Sequence, residues 1–256
     1  MSQQPPSELN STHTTTHLLT HSIQRRNFLR YSGAGLALTG LLLTGCDDDD
    51  DTSNNSGAFV DVGSGDLGVL NYAYALEQLE YAFYTQVQGG AYYKGLAATT
   101  AEKQILDDLL LHEKAHVDLF RNALGSNAIK DLEPDFSTIN FDDRAIVLGT
   151  AKTFEDTGVA AYNGAARYFE TPTYLPLAGK IVSVEARHAA LIRDIITFNS
   201  FVATDVVDLY VPPTSGAIGS GASGSGLERS MRPALIVNSV NQYLKVGSKL
   251  NVSKFV

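Results

Sequence analysis

The chain has 256 residues, a formal net charge of −9, 44% hydrophobic residues and one cysteine. This length allows one domain of ordinary size with further segments at its ends. The negative charge argues against nucleic-acid binding, because there is no excess of Lys and Arg to neutralise phosphates. One cysteine alone excludes an intrachain disulfide.

The first 45 residues have the features of an export signal. Polar residues 1–22 precede the pair Arg25-Arg26, and an apolar stretch follows over residues 31–45. That stretch is too short for a transmembrane helix but typical of a signal peptide. Paired arginines followed by Phe-Leu resemble the twin-arginine signal, which exports folded proteins, although Gln24 stands where Ser or Thr is usual. The alternative is an ordinary secretory signal with an incidental arginine pair.

Cys46 ends the apolar stretch, after Leu-Thr-Gly, and this segment resembles a lipobox, in which the cysteine is acylated. We therefore expect residues 1–45 to be a cleaved twin-arginine signal peptide and residues 46–64 to be a lipidated acidic tether. The run Asp47–Asp51 supports the tether, because like charges repel and extend a chain. The predicted location is periplasmic or cell-envelope, with a lipid anchor in a membrane. An incidental free thiol is the alternative.

Apolar residues at three- and four-residue steps predict four long helices, over about residues 66–87, 100–124, 142–169 and 177–198. Gly89-Gly90 and Gly125 are expected to end the first two. The first and last connections are short, whereas residues 125–141 form a long one. The pattern predicts an all-α fold within residues 65–201, a four-helix bundle with a long crossover between the second and third helices.

Residues 202–256 differ in composition and are predicted to be a C-terminal extension. Residues 202–211 are rich in strand formers, and residues 215–226 form a Gly/Ser linker. A short amphipathic helix is expected from Pro233 to about Leu244. We expect this extension to pack on the bundle.

Two of the predicted helices carry the same motif, Glu-x-x-His. It occurs at Glu113 with His116 and again at Glu185 with His188. Residues three apart on a helix differ by about 60° and about 4.5 Å, so both side chains can hold one ion. One such motif is weak evidence for a metal site, but two copies on alternate helices are strong evidence.

The other two helices each carry a glutamate in the apolar stripe, followed seven residues later by a tyrosine. The pairs are Glu77 with Tyr84 and Glu155 with Tyr162. Each tyrosine lies almost two turns along the same face, and is either a core aromatic or a partner of a ligand carboxylate. Glu80 is the alternative ligand on the first helix, or a neighbour of the ligands, but the spacing to Tyr84 favours Glu77.

The order Glu, Glu-x-x-His, Glu, Glu-x-x-His makes the two halves of the bundle alike. Four unpaired glutamates in one core would each cost several kcal/mol. Two divalent cations would balance their charge, and carboxylate with imidazole donors suits iron (Fe) or manganese (Mn). The sequence therefore predicts two Fe or Mn ions, held by Glu77, Glu113, His116, Glu155, Glu185 and His188.

With these residues in place, the stretch from about Gly65 to Phe201 resembles the ferritin-like superfamily of di-iron and di-manganese carboxylate proteins. The segment Asn71–Tyr84, NYAYALEQLEYAFY, is most similar to a branch that includes desiccation-related proteins. The resemblance implies a ferritin-like four-helix bundle with metal ligands at the six positions. All six are occupied by suitable residues.

Paired redox-active ions predict chemistry with oxygen or hydrogen peroxide as the small-molecule substrate, of catalase, peroxidase or ferroxidase type and protective in role. A homo-oligomer is left open. Two alternatives remain: a structural or desiccation-protective bundle without catalysis, and a zinc metalloprotease. The second rests on His112-Glu113-x-x-His116, which is also the zinc-protease motif. It leaves the second Glu-x-x-His unexplained, and His112 is otherwise expected to be a structural residue or a neighbour of the ligands.

Overall fold

The computed structural model describes residues 58–207 and 227–255. Its elements in chain order are the strand β1 (Phe59–Asp61), the helices α1 (Gly65–Gly89), α2 (Ala91–Gly95), α3 (Ala101–Leu124), α4 (Arg144–Ala165), α5 (Tyr174–Ile196) and α6 (Pro233–Val240), and the strand β2 (Lys249–Asn251). The predicted export signal with Arg25 and Arg26, the predicted lipidation site Cys46 and the Gly/Ser linker lie outside the described residues.

The predicted helical bundle is confirmed. Helix α1 packs chiefly against α3, and α4 packs chiefly against α5, which gives two helical hairpins; α1 also contacts α4, and α3 contacts α5. The stripe predicted for the first helix faces the core, since Leu70, Ala73, Tyr74 and Tyr84 are all buried. Among the described residues, no helix combines the length and apolarity needed to cross a membrane.

Local sequence sets where α3 and α4 begin. The Thr100 hydroxyl accepts a hydrogen bond from the backbone N–H of Lys103 at 3.3 Å. The Asp143 carboxylate accepts hydrogen bonds from the backbone N–H groups of Ala145 at 2.7 Å and Ile146 at 3.2 Å. Both residues thereby satisfy N–H groups that have no partner within the helix.

Helix α5 begins earlier than the sequence indicated. It starts at Tyr174 and not at about Leu177, so Pro176, assigned to a loop, lies in its first turn. Proline is tolerated there because the N–H groups of the first turn have no partner within the helix. Helix α4 is shorter than predicted, and a 3-10 turn over Ala166–Tyr168 follows it.

Two buried amides on α1 hold the long connection between α3 and α4. The Asn71 side chain donates to the Asn127 carbonyl at 3.0 Å and accepts from the Ile129 N–H at 2.9 Å. Gln78, two turns further along α1, accepts from the Leu132 N–H at 2.8 Å. The connection therefore runs along α1 and fixes that helix in the bundle.

A small parallel sheet joins the beginning and the end of the described chain. Strand β1 pairs with β2, with Val60 opposite Leu250. Residues 46–64 are predicted to form a lipidated acidic tether, but Val60 and Val62 near the end of this segment are buried. Short sequence patterns do not indicate this pairing, because Val60 and Leu250 lie 190 residues apart in the sequence.

The C-terminal extension packs on the bundle, as expected. The Met231 N–H donates to the Ala160 carbonyl at 3.0 Å, and α6 packs against α4. A Cβ added at Gly164 would lie 1.7 Å from the Met231 carbonyl oxygen, so only glycine allows this approach. In the described part of the segment rich in strand formers, residues 202–207 form turns and a single bridge from Val207 to Glu228.

Candidate metal centre

The six predicted residues come together inside the bundle, one or two from each long helix. They form two overlapping groups, in each of which one donor atom per residue lies within 4.8 Å of all the others. The groups are Glu77, Glu113, His116 and Glu185, and Glu113, Glu155, Glu185 and His188. Glu113 and Glu185 belong to both, so the two positions are adjacent. All four glutamates are fully buried.

The first position is centred on His116. Its Nδ1 lies 3.0 Å from Glu77 Oε2, 3.2 Å from Glu113 Oε2 and 2.9 Å from Glu185 Oε1. Glu77 comes from α1, Glu113 and His116 from α3, and Glu185 from α5. The three-residue spacing on α3 brings the imidazole and the carboxylate to the same face.

The second position repeats this arrangement around His188. Its Nδ1 lies 2.9 Å from Glu113 Oε1, 3.3 Å from Glu155 Oε2 and 3.7 Å from Glu185 Oε2. Each shared glutamate thus turns one oxygen towards each imidazole, whereas Glu77 and Glu155 each serve one position. This is a bridging arrangement for Glu113 and Glu185.

The donor set fits two cations. Glu113 Oε1, Glu155 Oε2, both Glu185 carboxylate oxygens and His188 Nδ1 are buried and lack a hydrogen-bond partner among the described residues. His188 Nδ1 and Glu113 Oε1 are 2.9 Å apart, close enough for a hydrogen bond but without the required angles. The atoms point into a shared space, where a cation would satisfy them. Carboxylate and imidazole donors suit Fe or Mn.

The two tyrosines bind Glu77 and Glu155, the glutamates that belong to one position each. In both, the tyrosine contacts the outer oxygen, Oε1, which is the one not directed at the histidine. Tyr84 Oη donates to Glu155 Oε1 at 2.5 Å, and Tyr162 Oη donates to Glu77 Oε1. Both phenols are buried. Of the two roles left open for these tyrosines, the structure gives them the one next to the ligand carboxylates, but each pairs with the glutamate of the other half.

Protons and metal compete for the two histidines. Burial lowers the pKa of His188, but contacts with Glu113, Glu155 and Glu185 outweigh it and raise the pKa to about 12. Burial and glutamate contacts oppose each other in the same way at His116, whose pKa is raised above its usual range. Before metal binds, both imidazoles are therefore protonated at neutral pH, and ligation requires these protons to leave.

The glutamates differ according to the imidazoles they face. Burial raises the pKa of Glu155 to about 7, although His188 and Tyr84 act in the opposite direction. Burial also tends to raise the pKa of Glu185, but contacts with His116 and His188 lower it to about 2. Glu113 also faces both imidazoles, but burial and the negative charge of Glu185 raise its pKa well above the usual range. Of these two glutamates, Glu185 is therefore the one that stays ionised most readily.

His112 lies outside the cluster and contacts it from the surface. It is exposed, its Nδ1 lies 2.8 Å from His188 Nε2, and the two rings stack with centroids 5.1 Å apart. Among the described residues, neither metal-type group includes His112. A zinc protease needs His112 and His116 on one ion, so this geometry does not support the protease alternative. His112 is a neighbour of His188, one of the six clustered residues.

Glu80 is also buried, at 4% exposure, and lies outside both groups. Burial raises its pKa, and the negative charges of Glu185 and Glu77 raise it further. Sequence reasoning left Glu80 as the less favoured ligand on α1. Sequence reasoning missed Gly158, whose absent side chain leaves space against Glu80 Oε1, because a missing side chain carries no periodic signal.

The family comparison agrees with this geometry. A family model described as a ferritin-like domain matches residues 65–197, more than half of the chain. The matched stretch contains all four long helices and all six clustered residues. None of the curated proteins compared with the chain is significantly similar to it.

Proposed function

We propose that this chain, which belongs to the ferritin-like domain family, is a di-iron or di-manganese carboxylate protein that turns over oxygen or hydrogen peroxide in a protective role. The observation that carries the proposal is the pair of overlapping ligand groups that share Glu113 and Glu185. Two adjacent ions of Fe or Mn supply together the two electrons that making or breaking an O–O bond requires.

The chain's own residues would hold and orient this centre. Glu113 and Glu185 span both positions, and Glu77 and Glu155 each complete one. The phenols of Tyr84 and Tyr162 fix the outer oxygens of these last two carboxylates, which leaves the inner oxygens directed at the metal positions. Such partners orient ligands and tune the bound metal.

Access to the centre favours a small substrate. The four glutamates are fully buried, whereas the His116 side chain is 12% exposed. The edge of His116 is therefore where the first position meets solvent. An opening of this kind suits oxygen or hydrogen peroxide, and it keeps bulk water away from the buried carboxylates.

The location is a second part of the proposal. Arg25-Arg26 and Cys46 support export in the folded state and attachment to a membrane through a lipid, in the periplasm or cell envelope. Folded export would allow the metal to be acquired inside the cell, before competing ions outside reach the site.

The test is redox turnover by protein loaded with Fe or Mn. We expect the loaded protein to consume peroxide or to oxidise ferrous ion with oxygen, and Glu77→Ala and Glu155→Ala each to abolish this activity. Glu133→Ala is the matched control, because the Glu133 side chain is 69% exposed and, within the described residues, its ion pair is with Lys245 at 3.5 Å. No turnover with either oxidant would favour the structural role, and peptide cleavage with zinc would favour the protease.

A further inference from the structure

A fifth buried glutamate lies beside the six clustered residues and has no task in the function proposed above. Glu80 is 4% exposed. Within the described residues, its carboxylate has no hydrogen bond and no ion pair. Carboxylates are seldom buried to this extent without a protein partner, so Glu80 is a candidate for binding a cation.

Gly158 on the opposite helix makes room for this carboxylate. A Cβ added at Gly158 would lie 3.0 Å from Glu80 Oε1 and 3.7 Å from Glu185 Oε2. The first distance is shorter than ordinary van der Waals contact, so a Cβ there would require the Glu80 carboxylate to shift by a few tenths of an ångström. The carboxylates of Glu80 and Glu185 therefore both border the space that Gly158 leaves open.

Gly158 makes the two halves of the bundle differ at equivalent positions of α1 and α4. Glu80 comes three residues after Glu77 on α1, and Gly158 comes three residues after Glu155 on α4. The equivalent positions of the two helices thus carry a carboxylate on one side and no side chain on the other. The two metal positions are consequently not equal.

The oxygen next to Glu80 indicates which position gains the extra carboxylate. Glu185 Oε1 lies 2.9 Å from His116, whereas Oε2 is the oxygen that faces His188 and lies close to the Gly158 space. We infer that Glu80 is an additional ligand of the second position, that of Glu155 and His188, and that Gly158 admits it there. This inference rests on the proposed function.

One more carboxylate changes the affinity of the second position and the ion charge that it favours. When metal binding ionises all five glutamates, they carry one negative charge more than two divalent ions balance. By Coulomb attraction, the ion nearest Glu80 is bound more tightly than its neighbour, and a higher charge on that ion is favoured. We therefore expect each chain to bind its two ions in two steps with different affinities.

The experiment is an equilibrium titration of the metal-free full chain with Mn(II). Binding is measured by calorimetry and by the electron paramagnetic resonance signal of free Mn(II). We expect two binding steps in the wild type. Glu80→Gln should weaken the tighter step by roughly 10- to 100-fold and leave the weaker step unchanged. Gly158→Ala should weaken the same step by a smaller factor, because the added Cβ shifts the Glu80 carboxylate.

Gly149→Ala is the matched control, since Gly149 lies on the same helix and a Cβ added there meets nothing within 4 Å. If Gly158 acts through Glu80, the double variant loses no more affinity than Glu80→Gln alone. Circular dichroism checks that each variant is folded; should Gly158→Ala unfold, Glu80→Gln decides. Two ions bound by Glu80→Gln with wild-type affinities would overturn this inference alone. A wild type that binds no Mn(II) or Fe(II) would overturn the proposed function as well.

Discussion

Tyr84 donates its phenol hydrogen to Glu155 at 2.5 Å, although it shares α1 with Glu77. Tyr162 on α4 makes the reciprocal bond to Glu77. A seven-residue step along a helix is about 10 Å, too far for a tyrosine to reach the glutamate of its own helix. The exchange places each tyrosine level with the other helix's glutamate, so α1 and α4 run in opposite directions and are tied together at both ends of the site.

Removing either phenol hydroxyl should weaken metal binding at one of the two positions. Tyr84→Phe and Tyr162→Phe keep the ring but remove the donor to a buried carboxylate, and each should weaken metal binding by roughly 10- to 100-fold. Calorimetric titration with Fe(II) or Mn(II) measures this. Tyr72→Phe is the control, because the Tyr72 hydroxyl is buried without a partner in the described structure. Equal losses in all three variants would refute a specific role for the exchanged pairs.

Metal binding should release protons. The raised pKa values of His116 and His188 mean that both are protonated at pH 7 before metal binds. Loading two ions should therefore release at least two protons, because the raised pKa values of Glu113 and Glu155 add to those of the histidines. Apparent affinity should rise as pH increases from about 6 to 8. Calorimetry in buffers of different ionisation enthalpy counts the protons. His188→Ala should release about one fewer; loading without proton release would contradict the assignment.

The close approach at Gly164 should be essential for attachment of the C-terminal extension. Gly164→Ala places a Cβ 1.7 Å from the Met231 carbonyl oxygen, which forces the backbone apart. We expect the free energy of unfolding to fall by at least about 2 kcal/mol, as for other overpacked sites. Gly149→Ala should instead stabilise slightly, by up to about 1 kcal/mol, as expected for alanine in a helix. Chemical denaturation compares the two; equal stability would show that the extension can move without cost.

The proposed export and membrane attachment can be tested independently of metal binding. Cys46→Ser removes the acylation site and should yield an exported protein that is no longer bound to membranes. Replacing Arg25 and Arg26 by Lys should leave the precursor in the cytoplasm. Fractionation of cells measures both. Membrane attachment that persists in Cys46→Ser would mean that another segment anchors the chain.

The sequence predicted the helices and the six clustered residues because both follow from short spacings. Periodicity marks a helix, and Glu113 with His116 must share a face. The exchanged tyrosine partners could not be predicted in this way, because they depend on how α1 lies against α4. The same holds for the strand pair of Val60 with Leu250, which joins distant parts of the chain. Gly158 was missed because the absence of a side chain carries no periodic signal.

The most direct test of the account is elemental analysis of the mature protein purified from its native export route, with Fe, Mn and Zn measured against protein concentration. We predict about two ions of Fe or Mn per chain, as in other di-metal bundles, and a loss of at least one ion in Glu113→Ala and in His188→Ala. A protein that stays free of Fe and Mn, even after loading with both under reducing conditions, would contradict the central claim.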